Sequence, residues 1–391
     1  MLSWLWSKNK EKLILVFDIG SASVGGALFY TSSNGVPRII CSVREPIVLL
    51  ETVDTEQLLS LTLKSLSVVS EKIASKRMGA PSKIFCVLSS PWYASQTRII
   101  KSEKNTPFVF TSKLADSLIE KEVSVFSAEH LANYVHVGNK MVPIELKNMK
   151  MMLNGYNTPE PLNQKAKQLE MTIFISMSEE QFLQSVRDTI HKNFHSDDVK
   201  FSSFAMNTFA LARDMFVEKE DFVLIDIGGE VTDISLIKKE VLRESISFPI
   251  GPNFMIRGIA LEMKCSLDQA KSYLSLYKDG HAEVKMAKKL EGVVNSLKTD
   301  WLKSFQESLA NISNDISIPA SIFITVDQDL AEFFSEIIKS EQFSQYTLTE
   351  SKFEVIFLGV QALHGSATFT EDVTRDSFLI MESIYINRYL S

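Results

Sequence analysis

The sequence predicts an α/β protein built from two related domains. Its 391 residues exceed the roughly 100 to 200 residues of one ordinary domain. Short apolar runs typical of strands alternate with longer stretches whose apolar residues recur every three or four positions, as on one face of a helix. The third observation is an internal repeat, since Val16–Phe29 matches Leu224–Ile237 with Asp18 at the place of Asp226, an offset of 208 residues. Such a repeat indicates a duplicated architecture.

The composition excludes several classes of protein. With 41 basic and 48 acidic residues the net charge is −7, which argues against a nucleic-acid partner because such proteins cluster Lys and Arg. Hydrophobic residues make up 45% and charged residues 23%, which excludes a disordered chain. The apolar runs are shorter than the roughly 20 residues of a membrane-spanning helix. Cys41, Cys86 and Cys265 lack metal-ligand spacing and favour a reducing compartment, so we expect a globular, cytoplasmic protein.

The first copy of the repeat reads as a strand, a tight turn, a second strand and a hairpin. The first strand is the apolar run Leu13–Phe17, and the turn at Gly20 follows Asp18. The dipeptide at Asn34 and Gly35 is typical of a hairpin turn. Thr55–Arg77 then carries apolar residues at helical spacing and predicts a core-facing helix.

A small inserted domain is predicted between Pro81 and Met177. Its predicted elements are a strand at Ile84–Leu88, a helix that begins at Thr111, and alternating segments around Tyr134–Leu146 and Met171–Ser176. Directly afterwards, Ser178 and Gln181 have the spacing of a capping box, which predicts the start of a further helix.

The second copy repeats this order from Phe222–Ile225 and continues into more helix. Apolar residues on one face of Met286–Ile312 predict a long amphipathic helix. Ile322–Val326 reads as a strand and Leu330–Ile338 as a helix. The apolar C-terminal segment Asp376–Ser391 is interpreted as a strand or helix packed on the body of the protein.

Two Asp-x-Gly turns are the candidates for chemistry. A glycine after the aspartate lets backbone N–H groups face a phosphate without a Cβ in the way, which forms an anion-binding nest. The aspartates at the strand ends, Asp18 and Asp226, can then hold a hydrated Mg²⁺ between the two turns. A single such turn fits an ordinary hairpin equally well, but two copies in matching frames favour phosphate binding.

These motifs resemble those of the actin, Hsp70 and sugar-kinase superfamily, and within it the bacterial FtsA and PilM branch. Asp18–Ser21 resembles the phosphate-1 loop of that family and Leu224–Ile234 its phosphate-2 loop. Phe248–Gly251, continuing to Ala260, is similar to the FtsA segment in which a P-I-G turn opens a helix. A further resemblance, to the small inserted domain of FtsA and PilM, lies in the order of Lys83–Ser90, Thr111–Glu122 and Met152–Tyr156.

The resemblance implies an actin-like ATPase fold, in which two related α/β domains surround a nucleotide cleft and the first domain carries the small insertion. The implied boundaries are residues 1–12 for an N-terminal leader, 13–81 and 178–220 with about 360–391 for the first domain, 82–177 for the insertion and 221–359 for the second domain.

The resemblance also implies ATP and Mg²⁺ as cofactors. Asp18 and Asp226 would be the catalytic and metal-binding residues. The residues implied to bind the nucleotide are Asp18, Gly20, Ser21, Ala22, Ser23, Asp226, Gly228, Gly229, Glu230, Thr232, Gly251, Pro252, Lys271, Val326 and Asp327.

Three departures from the family pattern weigh against hydrolysis. Glu230 replaces the third glycine of the phosphate-2 loop, and a carboxylate roughly 5 Å from a phosphate oxygen would repel it by about 3 kcal/mol unless Mg²⁺ or a basic neighbour intervenes. The adenosine-side turn at Thr325–Asp329 has no glycine, and Lys271 stands where the family commonly has glutamate. We therefore expect ATP binding with weak or absent hydrolysis.

The favoured function is that of an FtsA-like actin homologue. Such a protein binds ATP, forms filaments of its own copies, and tethers the division-ring protein FtsZ, through the FtsZ C-terminal peptide, to the inner face of the cell membrane. The alternatives are a PilM-like adaptor of type IV pilus assembly, which would bind a peptide of a pilus inner-membrane protein, and a degenerate pseudo-ATPase scaffold. A small-molecule kinase of the same superfamily is disfavoured because the sequence shows no extra substrate domain and no convincing catalytic base.

The N-terminal leader is the predicted membrane contact. Its large apolar side chains are Leu2, Trp4, Leu5 and Trp6, and three lysines follow within residues 7–12. Tryptophan favours the headgroup boundary and lysines favour anionic lipid, so weak peripheral binding is expected. The alternative is that the leader folds back into a groove of the first domain.

Overall fold

The structure is a computed structural model that describes residues 11–133, 140–281, 283–312, 317–340 and 353–391. Its strands are β1 (Leu13–Ile19), β2 (Ser23–Tyr30), β3 (Arg38–Pro46), β4 (Lys83–Leu88), β5 (Ala94–Val109), β6 (Met141–Leu153), β7 (Tyr156–Asn157), β8 (Lys165–Glu179), β9 (Val199–Ser203), β10 (Phe222–Ile227), β11 (Thr232–Lys238), β12 (Val241–Phe248), β13 (Ser321–Thr325), β14 (Glu354–Phe357) and β15 (Thr368–Phe369). Its helices are α1 (Thr55–Ser75), α2 (Ser112–Asn133), α3 (Glu180–Phe194), α4 (Phe204–Met215), α5 (Pro252–Met263), α6 (Leu267–Lys278), α7 (Val284–Ile312), α8 (Ala331–Ser340) and α9 (Ser377–Tyr389).

The chain divides into two compact units. The first comprises the residues up to Ser89 together with Ser185–Met215 and Phe357–Ser391. The second comprises Ser90–Gln184 and Phe216–Ile356. The domain boundaries drawn from the sequence stay a prediction, and in this division the segment predicted as an insertion groups with the second unit.

A six-stranded sheet organises the first unit. Its strand order is β15-β3-β2-β1-β4-β9, with β1, β2 and β3 antiparallel and β4 and β9 parallel to β1. β1 is buried along its whole length, as expected for a central strand that reads as a continuous apolar run. Helix α1 packs closely on the sheet because Gly26 of β2 has no side chain, and a Cβ there would lie 2.6 Å from Ile73.

The second unit contains a five-stranded sheet with the same topology. Its order is β12-β11-β10-β13-β14, with β10, β11 and β12 antiparallel and β13 parallel to β10. Apolar side chains on one face of α7 are buried, among them Leu290, Trp301 and Phe305. The predicted amphipathic helix is therefore present, and the shared strand order agrees with the duplication that the repeat predicts.

The second unit also contains a four-stranded antiparallel sheet, ordered β5-β8-β6-β7. Helix α2 begins where predicted, with the Thr111 hydroxyl accepting from the Leu114 N–H at 3.2 Å. Phe110, Phe126 and Ile173 are buried in the core of this sheet. Because α2 covers one face, the sheet has its own core.

Two predictions about chain segments can be compared with the structure. The C-terminal segment forms helix α9, whose residues Ile380, Met381 and Ile384 are buried, so it does pack on the body of its unit. The helix predicted to follow Ser178 is present as α3, which begins at Glu180, while Ser178 itself lies in β8 and its hydroxyl donates to the Trp92 carbonyl at 2.7 Å.

Residues 1–10, which contain the predicted membrane contacts Leu2, Trp4, Leu5 and Trp6, lie outside the described residues. Among the helices that the structure describes, none is both long and apolar enough to span a bilayer.

Candidate phosphate-binding turns

The two Asp-x-Gly turns have the same backbone geometry. Asp18 pairs with Gly25 across β1 and β2, and Asp226 pairs with Asp233 across β10 and β11, so the pairing register repeats at the same offset as the sequence. The hydrogen bond that closes each turn repeats as well. The Gly20 N–H donates to the Ser23 carbonyl at 3.2 Å, and the Gly228 N–H donates to the Val231 carbonyl at 3.0 Å.

The first turn holds an arginine against its aspartate. Asp18 is 3% exposed, and its Oδ2 accepts from Arg44 Nη2 at 2.7 Å. Arg44 stands on β3 directly opposite Gly25 of β2. A Cβ at Gly25 would lie 2.8 Å from Arg44 Nη2, so the missing side chain leaves room for the guanidinium. Glycine is therefore required here for the contact between Arg44 and Asp18.

The same guanidinium binds the start of the C-terminal helix. Arg44 Nε donates to Asp376 Oδ2 at 2.5 Å, Nη2 donates to Asp376 Oδ1 at 3.0 Å, and Nη1 donates to the Ser23 hydroxyl at 2.8 Å. Asp376 is also the N-cap of α9, where Oδ1 accepts from the Leu379 N–H at 3.1 Å. A bidentate arginine–carboxylate pair is among the stronger ionic contacts in proteins. Arg44 thus joins the first turn to α9.

Burial and neighbouring charges determine the pKa shifts of Asp18, Arg44 and Glu382 in the first unit. Burial raises the pKa of Asp18, and the charge of Arg44 opposes that rise. Burial lowers the pKa of Arg44, but Asp18 and Asp376 raise it by more, so Arg44 stays charged. Burial, and then the charge of Asp18, raises the pKa of Glu382 on α9 well above its usual value. Glu382 is 0% exposed and lies beside the Asp18 carboxylate, so its protonated form is favoured.

The second turn holds a carboxylate against the next helix. Glu230 is 9% exposed and forms a bidentate pair with Arg257 of α5, at 3.0 Å and 2.5 Å. Its Oε1 also accepts from Asn253 Nδ2 at 2.7 Å. The side chain that was expected to repel a phosphate therefore has the basic neighbour that offsets its charge, and it lies beside the N-terminus of α5, where an anion is favoured.

Helix α5 sits directly on this turn. The Asn253 N–H donates to the Gly229 carbonyl at 3.0 Å. A Cβ at Gly251 would lie 2.1 Å from the Gly228 carbonyl oxygen and 2.4 Å from that of Gly229, so only glycine permits this approach. The hydroxyl of Thr232 donates to the Ile250 carbonyl at 2.7 Å and fixes the segment before the helix.

Asp226 and Asp233 form a cross-strand carboxylate pair. Asp226 Oδ1 accepts from the Thr325 hydroxyl at 2.7 Å. Asp233 Oδ1 accepts from the Ser90 hydroxyl at 3.0 Å and also from Ser247. Burial raises the pKa of Asp233, while its two serine donors oppose the rise.

The first turn does not fit a divalent cation held through Asp18. A guanidinium already lies 2.7 Å from the carboxylate oxygen, and two cations at one carboxylate repel each other. Within the described ranges, no group of three or more His, Cys, Asp or Glu side chains could hold a metal ion. The metal roles of Asp18 and Asp226 stay a prediction that Arg44 weighs against.

The other residues predicted to bind the nucleotide lie partly in the first unit and partly in the second. Gly20, Ser21, Ala22 and Ser23 form the first turn, and Gly228 and Gly229 form the second. Pro252 is buried in the first turn of α5, and Val326 is buried directly after β13. Lys271 on α6 and Asp327 before the following short 3₁₀ turn are exposed. Their nucleotide-binding roles stay predictions.

Sequence reasoning missed the partners of the two acidic side chains. Arg44, Asp376 and Glu382 were not singled out, and Arg257 was noted only as part of a similar segment. Arg44 and Glu45 within strand β3 were a signal, because a strand in the interior of a sheet seldom packs a charge against its neighbours without a partner.

Comparison with known proteins shows the fold. One chain of a PilM–PilN type IV pilus biogenesis complex is similar over 95% of this chain and 97% of its own length, with a TM-score of 0.57 and 14% identity. A Bacteroides thetaiotaomicron protein with an actin-like ATPase fold and unknown function has a TM-score of 0.39 at 8% identity, and covers 96% of each chain. The ethanolamine utilization protein EutJ from Carboxydothermus hydrogenoformans has a TM-score of 0.41 at 11% identity, over 96% of this chain and 88% of its own.

The similarity to the PilM–PilN chain shows the fold and confirms the actin-like ATPase fold predicted from the sequence, while membership of the superfamily stays a prediction. No protein-family model matches it, and no curated protein is similar to it at a significant level. The narrower FtsA-type assignment stays a prediction.

Proposed function

We propose that this protein is an actin-like adaptor of the PilM kind, which binds a peptide segment of a pilus inner-membrane protein. The observation that carries the proposal is the similarity to a chain of the PilM–PilN complex, which extends over nearly the whole of both chains. The four-stranded sheet with helix α2 supports it, because the resemblance assigns an insertion of this kind to PilM and FtsA.

The ion pairs of the two turns favour a scaffold over an ATPase. Arg44 supplies a cation to Asp18, the carboxylate predicted to position Mg²⁺. Glu230 supplies an anion beside the helix that follows the second turn, where a phosphate would gain from the N-terminus of α5. Each turn is thus balanced by a charge of the protein itself, so Mg²⁺ and phosphate would both compete with an existing ion pair. We therefore propose weak ATP binding and no significant hydrolysis.

The FtsA-like role is the second candidate. The segment Phe248–Gly251 leads directly into helix α5 (Pro252–Met263), which is the arrangement of the P-I-G turn in the FtsA resemblance. This role includes assembly into filaments, binding of the FtsZ C-terminal peptide, and peripheral attachment to the inner face of the membrane.

A peptide-binding experiment separates the two candidates. Fluorescence anisotropy would be measured with two labelled peptides from the source organism, one from the cytoplasmic end of its pilus inner-membrane protein and one from the C-terminus of its FtsZ. Scrambled peptides of the same composition are the controls. Saturable binding of the pilus peptide alone supports the adaptor, and binding of the FtsZ peptide alone overturns it.

ATP turnover, followed as phosphate release in the presence of Mg²⁺, tests the second half of the proposal. We expect release no faster than in a protein-free control. Turnover at about 1 per second or faster, within the usual range of enzymes, contradicts the scaffold assignment.

A further inference from the structure

A groove in the second unit lies between the edges of two sheets. It has a volume of about 600 Å³. One side is lined by residues of β5 in the four-stranded sheet, and the other by residues of β12, the end of β11 and the residue before β10 in the five-stranded sheet. Among the described residues, β5 pairs only with β8 and β12 pairs only with β11, so each is an edge strand. The Thr97 hydroxyl of β5 donates to the Leu242 carbonyl of β12 at 2.9 Å and links the two edges. We call this cavity the edge groove.

An edge strand presents unpaired backbone donors and acceptors. Proteins often use such an edge to bind an extended segment of a partner, which adds as a further strand. In the edge groove, two such edges face one cavity of about 600 Å³, within the size range of ligand-binding clefts. The shape therefore fits an extended chain.

The charged side chains that line the edge groove are three basic ones, Lys238, Lys239 and Arg243, and two acidic ones, Asp221 and Glu244, so the groove has a net charge of +1. Lys238 is paired with Asp221 at 3.2 Å, and the Lys239 N–H donates to the same carboxylate at 2.7 Å. Within the described part of the chain, the side chains of Lys239 and Arg243 make no hydrogen bond or ion pair. The whole protein carries a net charge of −7, so this positive site stands out from the surface as a whole.

Local charge decides what binds in the edge groove. At physiological salt the Debye length is about 8 Å, so the distant acidic residues are screened while Arg243 and Lys239 act at contact. A guanidinium binds a carboxylate through two parallel hydrogen bonds, which gives strength and orientation. The exposed side chain of Ile99, 48% accessible, adds an apolar contact on the β5 side. An acidic segment with alternating apolar side chains could pair its carboxylates with Arg243 and Lys239 and pack an apolar side chain on Ile99.

We propose that the edge groove binds an acidic, extended peptide segment of a partner protein, which pairs with an edge strand through its backbone and with Arg243 and Lys239 through its carboxylates. The proposal rests on the adaptor role proposed above and names a surface for it. It does not depend on nucleotide binding at either turn.

The test uses a synthetic octapeptide of alternating Glu and Val, labelled for anisotropy and titrated with the full-length protein. Arg243→Glu is expected to weaken binding at least tenfold and Lys239→Glu by less, because Arg243 can bind a carboxylate bidentately. The matched control is Lys289→Glu, a reversal of the same charge at an exposed position of α7 outside the groove. Arg243→Gln is the second variant, and its melting temperature shows whether a loss of binding reflects a loss of folding.

Two further peptides test the mode of binding. A Lys/Val octapeptide tests the charge, and a Glu/Val octapeptide with alternate N-methyl amides tests the backbone pairing, so we expect neither to bind. Hydrogen exchange should show added protection in β5 or β12 when the Glu/Val peptide is bound.

Several outcomes overturn the proposal. One is that the natural protein does not bind the Glu/Val peptide, and another is that Lys289→Glu weakens binding as much as Arg243→Glu does. The proposal also fails if the N-methylated peptide binds with the same affinity as the Glu/Val peptide. It fails as well if inorganic phosphate displaces the labelled peptide at the same concentration as the unlabelled peptide does. If the natural pilus peptide binds and Arg243→Glu leaves its affinity unchanged, the adaptor role is supported but the edge groove is not the peptide-binding site.

Discussion

Arg44 Nη2 on β3 lies 2.7 Å from Asp18 Oδ2 on β1, and the contact passes over Gly25 of the intervening strand β2. The aspartate at the centre of the first predicted phosphate turn therefore has an internal cation. This pair, together with the contact of Arg44 to Asp376 at 2.5 Å, ties the turn to helix α9 and determines much of the expected behaviour of the first unit.

Removing the cation should destabilise the protein. Arg44→Met keeps much of the side-chain volume but leaves the buried Asp18 and the part-buried Asp376 without their partner. Loss of one member of a buried ion pair typically costs about 3 to 5 kcal/mol, and we expect the lower end because Arg44 is partly exposed. Urea unfolding at pH 7 measures the change in the free energy of unfolding. In the double variant Arg44→Met with Asp18→Asn, part of the loss should be recovered. A loss below about 1 kcal/mol, or no recovery, would mean that the pair contributes little.

The protonated carboxyl of Glu382 predicts a pH dependence. Its pKa in the folded protein is raised well above the ordinary value of 4.5, so the folded state keeps a proton that the unfolded state loses. Stability from this group therefore falls as the pH rises above 4.5, by at most about 1.4 kcal/mol per pH unit, until the folded pKa is passed.

Glu382→Gln removes this dependence. Relative to the natural protein, the variant should gain stability as the pH rises above 4.5, until the folded pKa of Glu382 is passed, as measured by urea unfolding at several pH values. Glu262→Gln, at an exposed position of α5, is the control and should follow the natural protein throughout. Parallel curves for Glu382→Gln and the natural protein would contradict the raised pKa.

Glu230 offers a direct comparison between the expectation from sequence and the structure. From sequence alone, Glu230→Gly should tighten ATP binding by restoring the glycine nest. Because the structure pairs Glu230 with Arg257, we expect the substitution to leave the part-buried Arg257 without its carboxylate, to cost about 2 to 4 kcal/mol of stability, and to bring no gain in ATP affinity. Calorimetry with ATP and Mg²⁺, alongside urea unfolding, measures both quantities. Tighter ATP binding by a folded Glu230→Gly variant would support the expectation from sequence that Glu230 repels the phosphate.

The internal cation also predicts how metal affects nucleotide binding. If Arg44 already neutralises the charge of Asp18, the ATP affinity measured by calorimetry should be the same within about twofold in Mg²⁺ and in EDTA. Asp18→Asn should then change the ATP affinity no more than Ser23→Ala does, since both positions contact Arg44. Binding that requires Mg²⁺, and that Asp18→Asn abolishes, would show that the metal displaces Arg44.

The repeat and its strand–turn–strand units could be predicted because they depend on local patterns. Each Asp-x-Gly turn follows an apolar run, and the offset between Asp18 and Asp226 is visible in the sequence. The charge pairs could not be predicted in this way. Arg44 and Asp376 are 332 residues apart in the chain, and their contact depends on where α9 packs.

The start of helix α3 could be predicted because the spacing of Ser178 and Gln181 is local, and the helix does begin at Glu180. The contact of Ser178 could not. Its hydroxyl donates to the Trp92 carbonyl, in tertiary structure that the spacing does not encode.

The contact between the second turn and helix α5 leads to the last prediction. Gly251→Ala places a methyl group where the nearest backbone atoms, the carbonyl oxygens of Gly228 and Gly229, would be 2.1 and 2.4 Å away. Backbone cannot rotate aside as a side chain can, so α5 must move off the turn and the Asn253 N–H must release the Gly229 carbonyl. We expect a loss of about 3 kcal/mol or more in urea unfolding, together with faster hydrogen exchange at the start of α5.

The matched control for Gly251→Ala is Gly292→Ala. Gly292 lies within α7, a Cβ there meets nothing within 4 Å, and the same change should stabilise the protein by about 1 kcal/mol because alanine favours the helix. Opposite signs for the two substitutions would establish that the close approach of α5, and not glycine content in general, holds the second turn in place. Equal effects would show that α5 can withdraw from the turn at little cost, which would leave that turn open to a phosphate.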